Sequence, residues 1–329
     1  MAELLFGGRA KQLMRRYPIF RRALWGIENA LFTLVFWMLR LLRPASAAAF
    51  GAWLLRRVGP RHGKSKHLRR NFSIAFPDLD SNGVELLVRE AWSNFGACLT
   101  EYAHLDHIAH GRRGAGVEYV VAPGIRALEA RDQPAIFVTA HYGNWELAAL
   151  AIAHQRIPVT AVYSPLQNPG LDQRLARYRE VLGCHLVPRA DSMRPLLTEL
   201  KAGRSIGLLV DQKVENGDPL PFFGRDKMTT LIPARLALRH GLELVPIRIQ
   251  RLAGSTFRAT ICEPITVEPE SGGEVETARQ MMIRVNQMFE RWIHEDPGQW
   301  FCGNRRWPKD RPATWPNVRA TPSQGSPDK

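Results

Sequence analysis

A chain of 329 residues with 45% hydrophobic content has the apolar surface for a large core, which excludes an intrinsically disordered protein and leaves one large domain or two small ones. Its formal charge of +14 is concentrated: residues 1–70 carry 15 Lys/Arg against Glu3 and Glu28, a net +13, so the other 259 residues sum to about +1. Those basic residues flank apolar runs rich in Leu, Phe and Trp, which suits an anionic lipid surface and not nucleic acid, and the four scattered cysteines form neither a zinc site nor a disulfide framework.

Ala23 to Leu42 is long enough to span a bilayer, but Glu28 and Arg40 lie inside it and no charge-free run reaches the ~20 residues a span requires. Arginines crowd both flanks (Arg15, Arg16, Arg21, Arg22, then Arg43, Arg56, Arg57), so charge assigns no orientation. The expectation is a helix lying on the membrane surface or dipping into it, with a single pass as the alternative. Ala45-Ser46-Ala47 resembles a signal-peptidase site, but Arg40 and Arg43 interrupt the transition into it and secretion is rejected. Ala47 to Val58 reads as a second helix closed by Gly59-Pro60, and Arg61 to Arg70 as a basic connector. Glu85 to His107 has the period of an amphipathic helix that turns Trp92, Phe95, Leu99 and Tyr102 toward a core.

Beyond it, apolar strand stretches at 135–140, 157–163, 184–187, 205–210 and 243–250 alternate with helical ones, and 258–267 reads as an edge strand. The alternation predicts an α/β fold with a mostly parallel sheet and helices on both faces, preceded by basic membrane-associated N-terminal helices. No Gly-rich phosphate loop follows any strand, so nucleotide-cofactor chemistry has no support.

Ala135 to Ala140 is apolar except for Thr139, as a strand covered on both faces would be, and Leu147 to Ala153 then reads as a helix, with Tyr142-Gly143-Asn144 as the turn between them. Asn144 is placed to cap that helix, and Glu146 falls in its first turn, where the helix dipole favours an ionised carboxylate. In one helix His141 and Glu146 would stand roughly 140° apart, so they meet only if the turn folds them together. The carboxylate would then hold one imidazole nitrogen and leave the other as a general base, with a substrate hydroxyl in place of the serine of a Ser-His-Asp site. That arrangement implies direct acyl transfer to an alcohol; the alternative is a capped helix with an ordinary first-turn acid and a strand-end histidine.

Ligands in α/β sheets gather beyond the carboxyl ends of strands, which directs attention to the residues that end the other runs. After 157–163 come Asn168 and a helix with Arg174, Arg177 and Arg179, any of which suits an oxyanion or a phosphate; the alternative is a solvated basic face. After 205–210 comes Asp211-Gln212, where an aspartate either holds an arginine or histidine in place or merely forms a turn. Phe222 and Phe223 are placed to line an acyl-chain groove or to serve as core aromatics.

His141-Tyr-Gly-Asn-Trp-Glu146 carries the His-x4-acid signature of glycerolipid acyltransferases and resembles the version in the lipid A late acyltransferase family. Further similar blocks are Arg70-Asn-Phe72…Phe76-Pro77, Asn94-Phe-Gly96 with Glu101, Asp211-Gln212…Pro221-Phe-Phe-Gly224…Ala234-Arg-Leu-Ala, and Gln299-Trp300…Arg305-Arg-Trp307. Ala97, Ser164, Cys302 and Asn304 depart from that pattern. The resemblance covers roughly residues 70–308 and implies an acyltransferase domain at 71–311, while composition gives membrane-anchoring helices at 1–70 and a disordered Pro/Ser-rich tail at 312–329. The resemblance implies catalytic roles for His141, Glu146, Arg179 and Asp211, and substrate-binding roles for Asn144, Asn168, Arg177, Phe222 and Phe223. The implied reaction needs no cofactor and no metal. Acyl carrier protein or acyl-CoA is the co-substrate and a lipid A precursor the acceptor, at the cytoplasmic face of a bacterial inner membrane. The alternatives are an acyltransferase for another membrane glycolipid or lysophospholipid, and a non-catalytic membrane lipid-binding protein.

Overall fold

The computed structural model describes residues 18–125, 133–190, 192–268 and 273–308. The expected tail at 312–329 and the basic stretch before residue 18, with Arg15 and Arg16, lie outside the described residues.

Helix α1, Pro18–Leu41, has two different faces. Phe32, Phe36 and Leu39, spaced four and three residues apart, are buried, and Phe36 packs on Tyr178 with ring centroids 5.3 Å apart. Ile27, Leu31, Leu34, Trp37, Met38 and Leu41 are exposed. Residues Arg21–Leu41 are long and apolar enough to cross a membrane by length and composition. Glu28, the acid inside this run, faces the protein and is buried: its Oε2 accepts from Asn168 Nδ2 at 2.8 Å, so the acid that interrupts the apolar run is turned away from the exposed apolar face.

Pro44 opens α2, Pro44–Val58, where its missing N–H costs nothing at the first turn. Helix α2 packs on α4, Ser81–Glu101, through Gly51 and Gly96. A Cβ on Gly96 would lie 2.1 Å from the Gly51 carbonyl oxygen, so the two backbones touch and neither position admits a side chain. The stretch 61–70, expected as a connector, instead enters α3, Ser65–Ala75, because Leu68, Phe72 and Ala75 recur on one buried face. Asp80 caps α4 by accepting from Gly83 N at 2.7 Å. The helix ends at Glu101, short of the expected His107, and α5, Leu105–Ala109, follows.

Among the described residues, seven strands form the main sheet in the order β1-β9-β8-β2-β5-β3-β4. They are β1 Gly116–Val121, β2 Ile136–Thr139, β3 Val159–Tyr163, β4 His185–Pro188, β5 Ser205–Leu209, β8 Leu244–Arg251 and β9 Thr256–Ile261. All neighbouring pairs are parallel except β8 with β9. The expected edge strand at 258–267 is therefore interior, since β1 pairs along its outer side; alternation in Gly-Val-Glu-Tyr-Val-Val suits that half-exposed edge. A separate antiparallel hairpin, β6 Asp218–Phe222 and β7 Arg225–Thr229, was also not among the expected strands.

Helices cover both faces of the sheet. Ile136 and Val138 of β2 join the core built with α3, α4, α9 (Ile232–His240) and α10 (Gly273–Glu295), whereas Phe137 joins the core built with α5 and α6 (Leu147–His154). Two further helices, α7 Pro169–Arg179 and α8 Met193–Lys201, complete the crossovers between parallel strands.

Gly96→Val should lower folding stability by about 3 kcal/mol, the upper part of the range for overpacking, because the obstacle is backbone and cannot rotate away. Gly26→Ala, at a helical site with nothing within 4 Å of the new Cβ, should be neutral or slightly stabilising. Chemical denaturation of the purified protein in detergent measures both, and equal stabilities would show that α2 and α4 do not touch at these glycines.

Candidate active site

The register of the parallel pair β2–β5 brings the two central groups together. Ile136 stands opposite Ile206 and Thr139 opposite Leu209, an offset of 70 residues, and the same offset carried past the strand ends sets His141 beside Asp211. His141 Nδ1 lies 2.6 Å from Asp211 Oδ1. The second carboxylate oxygen of Asp211 accepts from Trp300 Nε1 at 3.1 Å and Arg306 Nη2 at 3.0 Å. Asp211 is fully buried, and burial opposes its charge; His141, Arg306 and Lys227 outweigh that penalty and hold its carboxyl well below the usual carboxylate range. An ionised Asp211 takes the Nδ1 proton of the imidazole as its hydrogen bond, which leaves Nε2 for chemistry. That nitrogen is met by Gln212 Nε2 at 3.0 Å.

Glu146 does not hold His141. Its two oxygens accept from Arg179 Nε at 2.8 Å and Nη2 at 2.9 Å, and Arg179 Nη2 also donates to the Tyr102 hydroxyl at 2.7 Å. The expectation that the turn would fold Glu146 onto the imidazole is corrected here: a bidentate guanidinium satisfies the carboxylate more fully than one ring N–H, and Asp211 from the next strand already occupies Nδ1. Burial works against the Glu146 charge, but Arg179 and the Tyr102 hydroxyl keep its carboxyl below the usual range. Arg179 in turn stays charged, since Glu146 overcomes the cost of its burial.

The loop that carries His141 is clamped from three sides. Gly143 has φ +59° and a Cβ there would fall 1.9 Å from the Ile249 carbonyl oxygen, so this turn admits glycine alone. Its N–H donates to the Gln299 carbonyl at 3.0 Å, Phe301 N donates to the His141 carbonyl at 2.9 Å, and Asn94 Nδ2 donates to the Gly143 carbonyl at 3.0 Å. Asn71 Nδ2 holds the terminal segment through the carbonyls of Cys302, at 2.7 Å, and Asn304, at 2.8 Å. The blocks around Asn71, Asn94, His141, Asp211 and Trp300 thus converge on one site.

The residues expected to bind substrate lie elsewhere. Asn144 is not a helix cap: its Nδ2 donates to Glu101 Oε2 at 2.9 Å, in a buried cluster where Arg251 also pairs with Glu101. Asn168 caps α7 through Gly170 N at 3.0 Å and clasps Glu28 of α1, and it is buried there. Arg177 is exposed on α7, outside the cavity lining. Phe222 and Phe223 are core aromatics packed on Trp300 and each other, not groove residues, because the β6–β7 hairpin folds them under the terminal segment.

A cavity of about 450 Å³ adjoins the imidazole. His141, Glu146, Arg179 and Gln212 line it together with Ala148 and Ile152 of α6, Val159 and Ala161 of β3, Leu186 of β4, Gly207 and Leu208 of β5, and Leu196 of α8. Its apolar wall suits a hydrocarbon chain and its polar group suits the atoms undergoing reaction. Tyr102, Lys227, Trp300 and Arg306 had no expected role in holding these groups. Arg251 ends the β8 stretch, so inspecting the end of every strand would have found it; Lys227 had no comparable signal, being a charged residue in a hairpin.

A family model described as bacterial lipid A biosynthesis acyltransferase matches residues 19–309. A phosphatidylinositol mannoside acyltransferase of Mycolicibacterium smegmatis is 27% identical over 218 residues, covering 64% of this chain and 71% of that protein. A lipid A biosynthesis acyltransferase of Haemophilus influenzae is 22% identical over 270 residues, covering 79% of this chain and 82% of that protein. The crystal structure of the 1-acyl-sn-glycerophosphate acyltransferase of Thermotoga maritima aligns with 81% of this chain and 98% of its own, at 13% identity and a TM-score of 0.33.

Lys227 gives the site a pH signature. It is fully buried, with Nζ 3.2 Å from Asn286 Oδ1 and 3.4 Å from the Asp211 carbonyl, and burial lowers its pKa to about 7 against the pull of Asp211. Between about 7 and the ordinary lysine value of 10.5 the unfolded chain binds this proton and the folded chain does not, so this group makes stability rise with pH across that window. Lys227→Met should lose that contribution. The wild-type melting temperature should gain on the variant's from pH 6.5 to 9.5, and a constant difference across the range would show that Lys227 keeps its proton when buried.

Proposed function

The chain belongs to the bacterial lipid A biosynthesis acyltransferase family, and from that premise we propose that it transfers a fatty acyl chain from an acyl thioester, borne by acyl carrier protein or coenzyme A, to a hydroxyl of a lipid A precursor. One observation carries this reading: an imidazole held at Nδ1 by a buried carboxylate presents its other nitrogen to a cavity with apolar walls. His141 Nε2 removes the proton of the acceptor hydroxyl as that oxygen attacks the thioester carbonyl. Asp211 orients the ring and stabilises the cation that forms. When the tetrahedral intermediate collapses, the C–S bond breaks and the imidazolium returns its proton to the departing thiolate, so the base is regenerated. Arg179 spends Nε and Nη2 on Glu146 and Tyr102; its Nη1 is used by neither and is the donor offered to the oxyanion or to an acceptor phosphate. Glu146 acts through Arg179, as its anchor. Residues of this chain supply every group these steps use, with no cofactor beyond the thioester.

The family's enzymes acylate lipids, and the exposed apolar face of α1 and the arginines at its ends support attachment at the cytoplasmic face of an inner membrane. A second acceptor reading has its own support: the M. smegmatis relative is a phosphatidylinositol mannoside acyltransferase, and nothing in the proton chemistry distinguishes one acceptor hydroxyl from another. Lipid extracts of a deletion strain decide between them, since the unacylated acceptor accumulates. Thioester consumption that depends on added acceptor distinguishes an enzyme from a protein that only holds lipid.

His141→Ala should abolish transfer and lower the melting temperature, with the protein still folded because Trp300 and Arg306 continue to hold Asp211. Asp211→Asn should lower kcat by about 10³–10⁴-fold, the cost of losing the anionic partner of a catalytic histidine, whereas Glu146→Gln should retain measurable turnover. The reverse ranking of the last two would return the orienting role to Glu146. The protein should also stay with membranes in molar salt and leave them in detergent, since apolar burial outlasts screening of the arginines. Release by salt alone would make the attachment purely electrostatic.

A further inference from the structure

Gln212 occupies the one place in the site that the reaction needs empty. Its Nε2 is 3.0 Å from His141 Nε2, the nitrogen left free when Nδ1 donates to Asp211. The amide is oriented by a second contact, since Asn304 Nδ2 lies 3.5 Å from Gln212 Oε1; the carbonyl end faces Asn304 and the N–H end faces the imidazole. Gln212 therefore donates to the lone pair that must accept the substrate proton. Asp211, its neighbour in sequence, is locked by three donors, and Asn304 is itself held where Asn71 binds its carbonyl. The Gln212 side chain, by contrast, is only partly buried and lines the cavity.

We infer that Gln212 is a catalytic residue: its side-chain N–H caps the base in the resting enzyme and, once an acceptor hydroxyl displaces it, donates to the oxyanion of the tetrahedral intermediate. This rests on the transfer reaction proposed above. A hydroxyl bound to Nε2 sits about 2.7–3.0 Å from it, where the amide nitrogen now lies. The carbonyl oxygen of the thioester under attack is then a short step beyond that hydroxyl, within reach of an amide that rotates about its own side-chain bonds. The bookkeeping of the step is unchanged. The acceptor O–H proton goes to Nε2, the new C–O bond forms, the carbonyl π pair moves to oxygen and is met by the Gln212 N–H, and collapse expels the thiolate. A neutral amide suits this task because it adds no charge beside the imidazolium. Such a donor stabilises the transition state more than the ground state, because the charge it meets exists only there.

Gln212→Ala and the nearly isosteric Gln212→Glu, which offers a carboxylate where a donor is required, test the inference on the full chain in detergent, with acyl thioester and acceptor both saturating. Both variants should melt as wild type does. Gln212→Ala should lower kcat on the order of 100-fold or more with KM for either substrate little changed, and Gln212→Glu should lose at least as much. Hydrolysis of the thioester by water, measured without acceptor, should fall in parallel, because the same oxyanion forms in that reaction. Wild-type or faster turnover by Gln212→Ala would reduce the amide to a resting cap. A loss confined to the acceptor KM, with hydrolysis intact, would make it a binding residue, and either result overturns the inference. If the wild-type chain consumes no thioester with any acceptor, it is the transfer reaction itself that fails.

Discussion

Burying one ionised carboxylate organises this molecule. An unpaired carboxylate costs several kcal/mol in such an interior, and Asp211 is fully enclosed, so parts of the chain far from it in sequence must supply donors. His141 comes from the end of β2 and Trp300 and Arg306 from the terminal segment, while Lys227 of the β6–β7 hairpin donates to the Asp211 backbone carbonyl. The terminal segment is drawn across the sheet by these bonds and by Asn71 of α3, and it then pairs with the backbone of the His141 loop. The geometry of the candidate site follows from satisfying that charge: the imidazole is aimed because its partner is held by two further donors.

A second series of buried charges ties the site to the N-terminal helix. Asn168 at the start of α7 clasps Glu28 of α1, and Arg179 at the end of the same helix pins Glu146 beside the cavity. A single helix of eleven residues therefore carries the clamp on the apolar helix at one end and a cavity-lining cation at the other. Helix α1 is docked by its Phe32, Phe36 and Leu39 stripe, so its exposed apolar face has a set direction relative to the cavity. A third pair, Glu101 with Arg251, supports the loop from below through Asn144 and has no access to the cavity.

Much of this was legible along the chain. Alternating apolar strands and helices predict the parallel sheet, and a histidine just past one doubly buried strand and an aspartate just past the 205–210 run both stand where the candidate site lies. Local patterns also erred in instructive ways. Arg61 to Arg70 reads as a connector because its charges mask the Leu68, Phe72, Ala75 stripe, and Phe222-Phe223 reads as groove-lining because exposure and burial of an aromatic pair have the same signature in sequence. Asn144 and Asn168 carry the residue type of a helix cap, yet only Asn168 caps one; Asn144 faces Glu101, which no local rule anticipates.

What the sequence by itself determined is therefore much of what depends on near neighbours: the alternating strands and helices of the parallel sheet, the basic and apolar character of α1, and the residues just past the ends of β2 and β5. Tertiary structure alone decided the partnerships. Glu146, five residues from His141, is nearer in the chain, but Asp211 holds the ring, because the parallel register of β2 and β5 sets positions 70 apart side by side while Arg179 takes both oxygens of Glu146. A carboxylate binds whichever donors the folded chain brings within 3 Å, and separation along the chain does not enter that choice.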